Sequence, residues 1–165
     1  MSSTTTTTST RASAASPAAF LARRPVWQVN YLSALAASVA VEAWGLLARA
    51  AGVPMRVAGP GSQHASTITV GMFAMGTMVV TFWFTFALVP IARFATRPRR
   101  VYLRTVLVLL ALSFAVPLTA ADTALSTKLT LAAAHLIAAA IIIPAVASRL
   151  RPITRAHAPG KSVRA

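Results

Sequence analysis

The sequence predicts an all-α fold: a polytopic membrane protein built as an antiparallel bundle of four transmembrane helices. Three observations carry that prediction. Four apolar stretches each reach the roughly 20 residues that a bilayer core of about 30 Å requires. The chain of 165 residues is 56% apolar and only 11% charged, well away from the soluble norm. Its basic residues sit in clusters between the apolar stretches rather than over a polar face.

The elements follow in order. Residues 1–26 are rich in Ser, Thr and Ala, with an unbroken run from Thr4 to Thr8, and read as a disordered cytoplasmic tail. Arg23-Arg24 before an apolar run invites a secretory or twin-arginine reading. The run is longer than a signal core and three more follow, so an uncleaved signal anchor is the plainer account. The first span covers 29–51, interrupted by Glu42 and Arg49. Residues 52–66, with Pro54, Gly59-Pro60-Gly61 and His64, are turn chemistry. The second span, 67–91, carries no charge. The third, 101–121, has Arg104 one turn in, where it can snorkel to the headgroups. The short link from Asp122 to Ser126 makes the third and fourth spans antiparallel neighbours. The fourth, 127–147, has Lys128 at its mouth and His135 inside, and a basic tail follows over 150–165. The domain so defined is 27–149. Lipid offers no partners to the backbone, so each span should be helical. No internal repeat is visible.

Charge sets direction. The flanking tails and the loop between the second and third spans hold thirteen Lys and Arg, against Arg49, Arg56 and Lys128 on the other side. The positive-inside rule then places both termini in the cytoplasm, in a bacterial inner membrane. Trp27, Tyr31 and Tyr102 lie near cytoplasmic span starts, as belt aromatics should. The net charge of +14 is explained by topology, with no nucleic acid as partner. Arg97, Arg99 and Arg100 are also candidate contacts for anionic lipid.

Polar residues inside the spans are the candidate site. Glu42 shares a helical face with Tyr31, Leu35, Ser38, Gly45 and Arg49, and an intramembrane acid must find a donor, reach water or take up a proton. Counted from the span ends at about 1.5 Å per residue, Glu42, Thr77, Ser113 and His135 fall at one depth in the outer half of the bilayer. They predict a polar layer in which Glu42 accepts from His135 and Ser113 completes the network. Pro117 removes the helical partner of the Ser113 carbonyl and predicts a kink. Thr77, Thr81 and Thr85 form one stripe and Met72, Met75 and Met78 another; both read as packing.

Metal binding is not expected. There is no cysteine, and His64 and His157 lie too far from His135 to build the three or four ligands a site needs. No nucleotide loop or zinc-protease motif appears, no carboxylate pair is available for acid–base work, and no cofactor is implied.

Leu112-Ser113 followed by Pro117, then Asp122, then Leu131 with His135-Leu136, and Pro144 before a basic tail resemble a family of uncharacterised four-span bacterial membrane proteins, a domain of unknown function. The resemblance covers roughly Val29 to Arg149. It implies a four-span membrane protein and brings no catalytic residue with it.

The function these features favour is a small integral membrane protein that is not an enzyme. It would act by packing with itself, as a homo-oligomer, or with a membrane-protein partner. The alternative is a proton-linked transporter or carrier working through Glu42 and His135. An intramembrane hydrolase with Ser113, His135 and Glu42 is a third possibility.

Overall fold

The computed structural model describes residues 24–59, 62 and 64–150. The element order is α1 (Val26–Ala50), β1 (Arg56–Ala58), β2 (Ala65–Thr67), α2 (Met72–Phe94), α3 (Pro98–Thr119) and α4 (Leu125–Ala147). The expected tails lie outside the described residues except at their inner edges. There Val26 opens α1 and Leu150 is packed into a core cluster.

Local chemistry sets the helix ends. Pro25, in extended backbone, precedes α1, and its carbonyl accepts from the amides of Gln28 and Val29. Gly52, at φ 80°, closes the same helix. Its amide donates to Arg49 and that of Val53 to Ala48, the paired bonds of a Schellman motif. Pro98 stands in the first turn of α3, where its missing N–H is no loss. Pro117 and Pro144 fall in the last turn of their helices, and Pro90 stands one residue before the last turn of α2. Pro117 lies two residues before the end of α3, so the interrupted bond belongs to the helix terminus. The Nζ of Lys128 donates to the Leu118 carbonyl at that same end, 3.1 Å away.

Helix α1 is the centre of the bundle. Its buried face runs through Asn30, Ser33, Ala34, Ala37, Ser38, Val41, Gly45 and Ala48. These recur at helical spacing and are mostly small, which lets α2 and α4 approach closely. Helix α3 packs on α4 and meets α2 least closely, so each helix has antiparallel neighbours. Two compact cores hold the ends together. The one at the end where α1 starts and α4 finishes, called inner for its place beside the chain ends, contains Leu88, Tyr102, Val146, Ala147 and Leu150; the one beside the hairpin, called outer, contains Ala48, Met55 and Ile68.

The remaining surface is apolar. Val39 is 72% exposed and Trp83 67%, with Leu47, Phe86, Leu112 and Leu129 also outward. Soluble monomers rarely expose so many large apolar side chains together. All four helices are long and apolar enough to cross a bilayer. The chain is a small multi-pass membrane protein.

Two expectations are corrected. The second span was to begin at Thr67, but Ala65–Thr67 pairs antiparallel with Arg56–Ala58, and α2 begins only at Met72. The hydropathy of Ile68 and Val70 hid the hairpin. That hairpin sits on the α3–α4 link: the Ala58 amide donates to Thr123 Oγ1 at 3.1 Å and the Ala65 amide to Asp122 Oδ2 at 3.3 Å. Tyr102 is not a belt aromatic. It is wholly buried in the inner core, 6.1 Å from the Phe84 ring centroid, whereas Trp27 and Tyr31 do form an edge-on pair near the start of α1.

Candidate functional site

Glu42 finds its donors on α2. Its Oε1 accepts from the Gly71 amide at 2.7 Å and its Oε2 from the Ala74 amide at 3.2 Å. Gly71 is the N-cap residue, at φ 89°, and offers no side chain of its own. Glu42 therefore caps α2 from a neighbouring helix. Free amides and the positive end of the helix dipole both favour a carboxylate there. Arg49, two turns along α1, donates to the Ile68 carbonyl at 2.6 Å, with its Nη1 4.0 Å from Glu42. The amide bonds are at hydrogen-bonding length and the guanidinium is not, so the α2 amides hold the carboxylate.

The predicted Glu42–His135 bond is not formed. His135 Nδ1 bonds the Leu131 carbonyl of its own helix at 2.8 Å, and its ring lies 5.9 Å from that of Phe114. Ser113 donates to the Leu110 carbonyl and Thr77 to the Phe73 carbonyl. The depth count fails because it starts α1 and α2 at one level: Glu42, ten residues before Gly52, meets the first turn of α2, so its level there is Gly71–Ala74 rather than Thr77.

Thr77, Ser113 and His135 nevertheless share a space. All three line a cavity of about 430 Å³ bounded by α2, α3 and α4, with Asn30 and Val41 of α1 at its back. Glu42 does not line it. The cavity lies between the two end cores: Phe73 and Leu131 border it towards the outer one, Phe84 and Tyr102 towards the inner one. Val80 and Leu109 line it and are exposed, so it opens sideways between α2 and α3.

Two residues at its inner end were not singled out as site residues from sequence. Asn30 is 1% exposed and Tyr102 0%. Asn30 Nδ2 donates to Thr85 Oγ1 at 3.1 Å, and Thr85 in turn donates to the Thr81 carbonyl. Asn30 Oδ1 and Tyr102 Oη have no partner among the described residues. The available signal was the run of polar and small residues at Asn30, Ser33, Ala34, Ala37 and Val41, which marks an inward face.

Arg97, Arg99 and Arg100 stand exposed at the α2–α3 turn, beside the inner end of α2 where Arg93 lies 5.9 Å over the Phe94 ring.

No curated protein and no solved structure matches the chain. Residues 21–152, which take in the four described helices and the cavity, match a family of unknown function, DUF6069, and the chain belongs to that family.

Proposed function

We propose that the protein is a membrane-embedded binding protein, without chemistry of its own, whose binding place is the cleft between α2 and α3. The observation that carries this reading is the laterally open cavity of about 430 Å³, lined by apolar side chains with a few polar ones. Pockets for small ligands have this size and make-up, about 300–1,000 Å³. The hydroxyl hydrogens of Thr77 and Ser113 are taken by their own helices, and both Glu42 oxygens by α2 amides. Those bonds favour binding over a proton relay.

Gly76 provides the test. It lines the cavity, and a Cβ built on it meets no atom within 4 Å. Gly76→Phe should therefore fill the cleft without disturbing the helix. Mass spectrometry of the full chain released from nanodiscs is expected to find an apolar molecule retained by the native chain and lost from Gly76→Phe. Equal retention would remove the cleft from the function.

We further propose that both termini face the cytoplasm of a bacterial cell, with the protein in the inner membrane. The thirteen-to-three division of basic residues supports this. Reporters fused to the two ends should both be active only on the cytoplasmic side. Replacing Arg97, Arg99 and Arg100 by Gln should weaken that orientation; if these arginines also hold anionic lipid, the same variant should lose binding to anionic vesicles. Activity of either reporter on the far side would contradict the assignment.

A further inference from the structure

We infer that the outward face of α3 holds a phospholipid of net negative charge, its phosphate on Arg100 and Arg104 with Arg97 beside them. The site lies on the far side of α3 from the cleft and does not depend on it.

The argument starts from register. At 100° per residue, Arg97, Arg100 and Arg104 fall within about 60° of one another around α3, and all three are exposed. Arg97 is the N-cap residue, and its carbonyl accepts from the Arg100 and Val101 amides, so it stands one turn below Arg100. Arg99 is turned by about 100° or more from each of the three. Tyr102, Val106 and Ser113, which line the cleft, occupy the opposite side of the helix. Arg104 lies six residues beyond Pro98, about 9 Å into α3. Helical side chains lean towards the N-terminus, here the inner end, which brings the Arg104 guanidinium back to the level of Arg100. Topology requires positive charge near this turn. It does not require three arginines on one face, or one of them two turns into a span.

These charges have no counter-charge in the fold. The chain has two acidic side chains, Glu42 and Asp122. Glu42 is held by amides at the outer start of α2, and Asp122 follows the outer end of α3, a helix length of about 33 Å from Arg97. Among the described residues the guanidiniums of Arg97, Arg100 and Arg104 make no hydrogen bond and no ion pair. Like charges one turn apart repel, and a guanidinium facing hydrocarbon is costly. A phosphate relieves both, because it accepts two parallel bonds from the guanidinium fork. A zwitterionic lipid brings its own ammonium and leaves the excess positive charge in place; a net-anionic one cancels it. An acidic soluble partner is the wrong occupant, since Arg104 stands inside the span between the exposed Val101 and Leu107. Above Arg104 the same face continues through the exposed, short side chains of Val108, Ala111 and Ala115, flanked by Leu107 and Leu112. An acyl chain descending from the phosphate would lie along that track.

The test is native mass spectrometry of the full chain released from nanodiscs of equal parts phosphatidylglycerol and phosphatidylcholine. Both leaflets are alike there, so a change of orientation does not alter the lipid that the site meets. The native chain should retain phosphatidylglycerol about tenfold over phosphatidylcholine. The double variant Arg100→Gln with Arg104→Gln should lose that preference. In nanodiscs of phosphatidylcholine alone it should unfold at the native temperature or higher, because two like charges one turn apart have been removed. Arg93→Gln with Arg99→Gln removes the same charge from the same turn and should keep most of the preference. Equal loss in the two double variants would mean diffuse attraction and overturn the site, as would a native chain with no preference. Displacement of the lipid by inorganic phosphate would overturn it too, by assigning the arginines to a free anion. Gly76→Phe, which fills the cleft, should leave phosphatidylglycerol retention unchanged; its loss in that variant would place the lipid in the cleft and not on α3.

Discussion

Replacing Glu42 by alanine is expected to destabilise the protein by about 3–5 kcal/mol. The side chain joins three parts of the fold. It caps α2 through the Gly71 and Ala74 amides, and it neutralises the field of Arg49, which holds the Ile68 carbonyl at the hairpin exit. Alanine would leave two amides of the first turn without an acceptor in a region where water is scarce. It would also leave a half-buried guanidinium without its counter-charge. Glu42→Gln is the informative control. Its amide oxygen can still accept from the first turn of α2, so the loss should be nearer 1 kcal/mol. Equilibrium unfolding of both variants in mixed micelles checks the order. Equal, small effects would mean that the carboxylate is held by water and not by α2.

The second large effect is expected at Gly45. A Cβ there would stand 2.9 Å from two ring carbons of Phe73. Cβ contacts that short do not occur, so the ring must move or the helices must part. Moving the ring is not free, because Phe73 also packs on the outer core and lines the cavity. Gly45→Ala should be destabilised by about 1–3 kcal/mol, the usual range for overpacking, and Gly45→Leu by more. Adding Phe73→Ala to Gly45→Ala should recover part of the loss, giving a double-mutant coupling well outside additivity. Strict additivity of the two changes would show that α1 and α2 do not meet at this point.

Sequence alone made the four spans legible, because length and hydropathy decide membrane insertion almost without regard to tertiary contacts. Helix ends were less so. The start of α2 was hidden because Ile68 and Val70 are as apolar as the span they precede, and hydropathy does not distinguish a paired strand from the first turn of a helix. A count that starts both spans at one level matches Glu42 with Thr77, His135 and Ser113, when its partners are main-chain amides in the first turn of α2. Backbone acceptors and donors leave no mark in the residue pattern, which is why a layer of side chains looked like the natural solution. The opposite error was made with Tyr102. An aromatic near a span start reads as an interface anchor, and only the packing of Leu88 and Val146 around it shows otherwise. Thr77, Ser113 and His135 lie inside α2, α3 and α4. The cavity they share depends on how loosely α2 meets α3, a property of the assembled bundle.

The central claim is that lipid, and not water or a folded core, surrounds these helices. Spin labels placed one at a time at Val39, Trp83 and Leu112, in a chain that has no native cysteine to interfere, test it directly. In vesicles the account predicts that collisions with dissolved oxygen strongly outweigh collisions with a water-soluble nickel chelate at all three positions. Nickel access equal to or above oxygen access at these sites would contradict it.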